Sequence, residues 1–337
     1  IKAMFVMCAI GCVVHVKAQG GDVAHALVLY NIAWGLVRKI NDLNWKLDKA
    51  IERLVQYRNI EDFVHAEHSE QRDVGEQPEP SWPSAGAVRF EDVVFRYCAG
   101  GPVALNGVTV RIRAGEKVGV VGPTGGGKTT FLKLLFRLGP CSAGGVFVDG
   151  VDIATLRLGA LRRAIGVVPQ EPTIFLGTLR ENLLGANASA RVADDAAALA
   201  AAAACGLEEA LGLAERGAAA LDEELPCELS VGQKQLLAAA RVLIRRPKVL
   251  VLDEATASLS QAAADHLVAV IQKHCHEATV LSIAHRLRFI LQCHRVLVLS
   301  FGGTVEAFDS PAALSRGVAC GGNEYFARQL RREGAEE

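Results

Sequence analysis

The chain has 337 residues, with 36 Lys and Arg against 37 Asp and Glu, a net charge of −1 that leaves no basic surplus for gripping a nucleic-acid backbone. Its length suits one large domain with a smaller appendage. Nine cysteines stand without a CxxC pair or a Cys/His cluster at zinc spacing, which argues against a disulfide framework or structural metal and fits a reducing environment.

The chain opens on Ile1, inside an apolar run covering residues 3–14. About 12 residues of helix rise about 18 Å, short of a hydrocarbon core of about 30 Å, so the run reads as the last part of a membrane helix in a fragment. A second apolar stretch, Ala24 to Val37, contains His25 and Asn31 and exits at Arg38 and Lys39, basic residues suited to the cytoplasmic side of a membrane. Leu36, Ile40, Leu43, Leu47, Ile51 and Leu54 then recur at steps of three and four, with Lys46, Asp48, Lys49, Glu52 and Arg53 on the other faces. That period predicts one amphipathic helix from about Asp22 to Phe63, about 60 Å long. Residues 1–65 are therefore expected to end a transmembrane domain and continue as a cytoplasmic helix; a soluble coiled-coil arm is the alternative. Residues 66–87 are polar, carry Pro78, Pro80 and Pro83, and read as a linker.

From residue 88 the pattern changes to strands alternating with helices. Val88 to Tyr97 and Val108 to Ile112 are predicted strands, and Lys117 to Val121 is a short buried strand. The next helix carries Phe131, Leu132, Leu134, Leu135 and Leu138 on its apolar side. Ala186 to Leu213 is Ala-rich and favours helix, within a helical subdomain at about 172–245. Apolar strands follow near 248–252, 279–283 and 295–299. The expectation is an α/β fold over 88–330, with a mainly parallel sheet covered on both faces and a tail at 331–337.

Chemistry concentrates in three places. Gly122-Pro123-Thr124-Gly125-Gly126-Gly127-Lys128-Thr129, completed by Thr130, follows a predicted strand and opens a helix. Glycines 125, 126 and 127 let backbone N–H groups turn onto phosphate oxygens, and the helix dipole adds to them. Lys128 supplies charge to the β- and γ-phosphates, and the Thr129 hydroxyl is placed for Mg²⁺. Asp253 ends the apolar run Val249-Leu250-Val251-Leu252, a position from which a carboxylate can hold Mg²⁺, and Glu254 beside it is the candidate general base. The plainer alternative has both acids cap the next helix. Ser230 followed by Gln233 is a capping box, which marks a helix start.

Leu229-Ser230-Val231-Gly232-Gln233 stands just ahead of that acidic strand, about 100 residues after the phosphate loop. This order resembles the nucleotide-binding domain of ATP-binding cassette (ABC) proteins, a P-loop NTPase with a mainly parallel core sheet, antiparallel N-terminal strands and a helical subdomain. The resemblance implies that Ser230 and Gly232, with Gln233, close on the γ-phosphate held by an opposite domain. It makes Gln170 the glutamine that reaches Mg²⁺ and water, His285 the switch histidine on the γ-phosphate, and Tyr97 the aromatic that stacks on adenine. The stretches AGEKVGVVGPTG, VPQEP, LVLDEATAS and TVLSIAHR are similar to the second such domain of the C subfamily, the multidrug-resistance-associated exporters. The likeness extends over residues 22–330.

The resemblance implies ATP and Mg²⁺ as cofactors, and as partners a second nucleotide-binding domain upstream in the full-length chain and transmembrane helices. It implies a small-molecule transport substrate of the amphipathic organic anion or conjugate class, no nucleic acid, and a multi-pass membrane protein whose nucleotide domain lies in the cytoplasm. In that subfamily the two ATP sites are unequal, and Glu254 suits the competent one. The chain departs from the pattern at three places: Ser260 stands where the family has an aspartate, Val231 where many members have glycine, and Pro226-Cys227-Glu228 replaces a Gly/Asn-rich approach. A nucleotide-sensing regulator with little turnover and a soluble ABC ATPase are the alternatives.

Overall fold

The computed structural model describes residues 11, 14–20, 23–65, 75–98, 100–185, 192–225, 229–283, 287–316 and 323–333. The chain divides into two compact units, Ile1–Arg72 and Asp73–Glu337. In the first, helix α1 (Val23–His65) runs unbroken for 43 residues, matching the apolar period read from the sequence. Its ridge of Val28, Ile32, Leu36, Ile40, Leu43, Leu47, Ile51 and Leu54 is exposed along its whole length. Among the described residues no helix is long and apolar enough to cross a membrane. Most of the apolar run at 3–14 lies outside them, as do residues 66–74.

In the second unit, residues 75–87, the described part of the stretch read as a linker, are tied to the domain by hydrogen bonds. Asp149 accepts the N–H groups of Ala85, Gly86 and Ala87 at 2.7–3.0 Å, and the Trp82 indole donates to the Val148 carbonyl at 3.1 Å. Burial works to raise the Asp149 pKa, yet the N–H bonds from residues 84–87 outweigh it and hold the carboxyl below its usual range.

Four antiparallel strands form one sheet in the order β2-β1-β4-β5: β1 (Val88–Arg96), β2 (Val103–Ile112), β4 (Ala143–Val148) and β5 (Val151–Asp152). In β1, Val88 and Phe90 point to the core, and so do Val93 and Phe95, out of step by one residue. Asp92, at φ 46°, absorbs the extra residue as a bulge between the two pairs.

The second sheet has the order β10-β9-β3-β8-β7-β6, with β3 (Lys117–Val121), β6 (Ile165–Val168), β7 (Val249–Asp253), β8 (Thr279–Ile283), β9 (Arg295–Leu299) and β10 (Val305–Asp309). All its pairs are parallel except β9 with β10. The connection leaving β3 runs to the far edge at β6, while the one leaving its neighbour β8 crosses to β9 on the other side, so the ends of β3 and β8 form a topological switch point, where ligands bind in open α/β sheets. Helix α2 (Lys128–Leu135) follows it and buries Phe131, Leu132, Leu134 and Leu135 between the two sheets.

The helical part comprises α4 (Leu179–Leu184), α5 (Val192–Ala204), α6 (Leu213–Arg216) and α7 (Val231–Arg245), with α3 (Leu158–Ala164) preceding β6. Small side chains let α5 and α7 come close: Ala198, Ala201 and Ala202 share a core with Leu237, Ala238 and Ala239. Gly206, at φ 76°, ends α5; its N–H bonds to Ala203 O, and that of buried Leu207 to Ala202 O, a Schellman stop. Helix α8 (Gln261–His274) backs β7, and α9 (Leu287–Ile290), α10 (Pro311–Ser315) and α11 (Glu324–Glu333) close the far side around buried Phe326.

Candidate active site

The strands of the parallel sheet deliver the candidate residues at their carboxyl ends. β3 runs into the loop at 122–127, β6 ends one residue before Pro169 and Gln170, and β7 ends on Asp253. In the loop, Gly127 has φ 85° and is the N-cap of α2; a Cβ there would lie 2.5 Å from the Ala104 carbonyl oxygen. No other residue fits. The cap makes no side-chain hydrogen bond, so nothing from the side chain competes for the N–H groups of the first turn. The Lys128 ammonium is half-buried and donates to the carbonyls of Gly122 at 2.8 Å and Pro123 at 3.0 Å. Burial lowers its pKa, while the charge of Glu254 acts to raise it.

Tyr97 is 66% exposed, its ring edge-on to Phe95, and its hydroxyl shares a 2.8 Å hydrogen bond with that of buried Thr130 in the first turn of α2. An open aromatic face is thereby fixed beside the loop. Thr129 is half-buried next to it.

Glu254 sits in the left-handed region at φ 50°, its N–H bonded to the Ile283 carbonyl at the end of β8. A glutamate in that conformation is strained, and strain of this kind gathers at working sites. Its Oε2 accepts from the Gln170 amide at 2.7 Å. Asp253 Oδ1 is buried and has no partner among the described residues. Burial raises its pKa, repulsion from Glu254 adds to the effect, and Lys133 opposes it.

These observations fit ATP and Mg²⁺. An uncapped helix start behind glycines suits phosphate oxygens. A single buried carboxylate oxygen in want of a partner suits Mg²⁺, which takes one or two carboxylates together with phosphates and water. The candidates to hold it are Thr129, Asp253 and Gln170.

The structure brings Gln170 and Glu254 into contact and puts Lys128 within electrostatic reach of Glu254. Ser230, Gly232 and Gln233 stand apart at the start of α7. Ser230 Oγ accepts the Gln233 N–H at 3.2 Å and Gln233 Oε1 accepts the Ser230 N–H at 2.8 Å, the reciprocal box expected. Neither side chain bonds to the phosphate loop among the described residues. Val231 is exposed, and a Cβ on Gly232 would press on Leu259 at 3.2 Å. His285 and Pro226-Cys227-Glu228 lie outside the described residues.

Two polar side chains escaped the sequence reading. Gln235 is wholly buried on the core face of α7, and Arg241 of the same helix donates to the Thr173 and Asn182 carbonyls at 2.7 and 2.6 Å. A glutamine in line with Ala238, Ala239 and Val242 is a polar residue on an apolar stripe, a signal the sequence does carry.

A family model described as ABC transporter matches residues 105–257. The chain is 42% identical over 294 residues to mouse ATP-binding cassette sub-family C member 10, a match covering 86% of this chain and 19% of that protein. It belongs to the ABC transporter family. The ABC chain is also 36% identical over 295 residues to multidrug resistance protein mrp-7 of Caenorhabditis elegans, covering 88% of itself and 19% of the relative. It spans about a fifth of the length of these curated relatives. A bacterial Atm1-family ABC exporter solved with ATP bound superposes with a TM-score of 0.70 at 28% identity, covering 93% of this chain and 53% of that one. The fold is that of an ABC-type P-loop NTPase.

Proposed function

We propose that this chain is the ATP-hydrolysing cassette, with the adjoining helix, of an ABC exporter of the C subfamily. The whole protein would move amphipathic organic anions or their conjugates across a membrane, with this domain on the cytoplasmic side. The observation that carries the reading is the Gln170–Glu254 contact of 2.7 Å next to Asp253, whose buried oxygen lacks a partner. That trio stands at the strand ends beside the phosphate loop.

Each residue then has a part. The loop amides and Lys128 take the β- and γ-phosphates, Lys128 exchanging neutral carbonyl partners for anionic oxygens. Tyr97 offers its open face to adenine, held by the bond to Thr130. Gln170 orients the attacking water, and Glu254 accepts its proton as the water adds in line to the γ-phosphorus and the bond to the bridging β,γ-oxygen breaks, releasing phosphate and ADP. Mg²⁺, when bound, neutralises charge on the β- and γ-oxygens. His285 would contact the γ-phosphate. A second nucleotide domain supplies a serine-led helix start across the triphosphate, and Ser230, Gly232 and Gln233 do the same for that partner.

The test is hydrolysis by the full-length protein. Glu254→Gln is expected to keep ATP binding and to lower turnover by about 10²–10⁴-fold. Unchanged turnover would remove Glu254 from this role. A regulator with little turnover is the second reading, favoured by the uncharged Ser260; wild-type protein that binds ATP and does not hydrolyse it would establish that reading instead.

A further inference from the structure

Helix α7 carries a buried amide where its neighbours on the core face are apolar. Gln235 is fully enclosed, in line with Ala238, Ala239 and Val242. Its Nε2 donates to the carbonyl oxygens of Pro169 at 3.2 Å and Gln170 at 2.6 Å. Two carbonyl acceptors on one side settle which end of the amide faces them, since only the NH₂ group can donate. The other end, Oε1, is buried and meets no donor among the described residues. A leucine would fill much of the same space without a stranded oxygen, so packing alone does not account for a glutamine.

What the amide holds is informative. β6 leaves the sheet ladder at Val168, and Pro169 and Gln170 are the next two residues. Gln235 takes over where the ladder stops, gripping the backbone from which the Gln170 side chain reaches Glu254. Less than two turns further along the same helix, Arg241 grips that loop again at the Thr173 carbonyl. The helix that holds the loop is the one that begins at Ser230.

We propose that Gln235 is a positioning residue that locks the start of α7 to the backbone beneath Gln170. The helix tip offered to one nucleotide and the water-orienting glutamine of the other then move as one body. The inference rests on the reading above, in which Ser230 serves the partner domain's nucleotide and Gln170 serves this domain's own. Closure on one ATP would thereby set the geometry of the second within a single domain, without a signal crossing the interface twice.

The experiment has two arms, both on the full-length protein. In the first, hydrogen exchange is followed without nucleotide for Gln235→Leu against wild type. Exchange of the Gln170, Glu171 and Thr173 amides is expected to rise about tenfold, with β6 and the rest of α7 unchanged and Tm unchanged or higher. A lower Tm with exchange rising throughout α7 would make Gln235 a packing residue and overturn the proposal. In the second arm, Gln235→Leu is combined with Gln170→Ala in a double-mutant cycle on ATP turnover. Gln235→Leu is expected to lower turnover about tenfold in the wild-type background and to add nothing once Gln170 is gone. Independent, multiplying losses would overturn the lock. If Gln170→Ala itself leaves turnover intact, it is the functional reading that fails, and the exchange arm alone decides whether Gln235 tethers the loop.

Discussion

Lys128 shows what a single residue at this site contributes. Its ammonium is half-buried, its pKa is pushed down by that burial, and in this structure its partners are neutral carbonyls. A charge so placed is poorly compensated, and phosphate oxygens would compensate it better. Lys128→Ala is therefore expected to abolish photolabelling of this domain by an ATP analogue while the fold survives; retained label would contradict the assignment. The phosphate loop, Asp253 and Glu254 were legible in the sequence because their chemistry demands neighbours in the chain. The partnership of Gln170 with Glu254 spans 84 positions, and no local spacing encodes it. Only the resemblance to a family singled Gln170 out. Gln235 differs: a polar residue on an apolar stripe is a local signal, but the contact that gives it weight lies 65 positions away.

Among the elements, α8 isolates the effect of one departure from the family pattern. Ser260 is its N-cap, with Oγ accepting the Ala263 N–H at 3.3 Å. The serine thus keeps the capping an aspartate would give and drops only the charge. Ser260→Ala is expected to cost about 1 kcal/mol in denaturant unfolding, and Ser260→Asp to cost nothing measurable. Equal stability of all three would show that the cap is idle. Two helix starts were readable at this scale, because a glycine loop precedes Lys128 and the Ser230–Gln233 box precedes α7. Several strands were not. β6 is four residues between a helix and Pro169, and β4 opens Ala143-Gly144-Gly145, a sequence with little strand character of its own. Both exist because a neighbouring strand pairs with them. The bulge at Asp92 is likewise a property of the pairing, set by two partners at once.

For the molecule as a whole, two buried or half-buried carboxylates join parts distant in sequence. Glu116 receives the Arg295 guanidinium at 2.7 Å on Oε2, an arginine that also reaches the Arg111 carbonyl and lies over Phe308. Burial acts to raise the Glu116 pKa, but the Arg295 bond and the Arg113 N–H bring it below the usual value. Asp149 is shifted the same way by its backbone bonds. A depressed folded pKa means the unfolded chain binds more protons, so stability is present above the unfolded value and is lost as pH falls through the folded one. Unfolding in denaturant is expected to become easier as pH drops below about 4, and Glu116→Gln with Asp149→Asn to flatten that slope while lowering stability at neutral pH. An unaltered slope in the double variant would assign acid sensitivity elsewhere.

Helix α1 adds a mechanical property that no side chain supplies. Forty-three residues without a break make a rod about 65 Å long. Turning such a rod by about 10° about one end sweeps the other through about 11 Å. Its oily ridge, bare from Val28 to Leu54, would have to slide or stay seated against whatever covers it during that swing. Leverage and adhesion are thus written on the same strip of sequence, and a charged residue set into that ridge would strike both together.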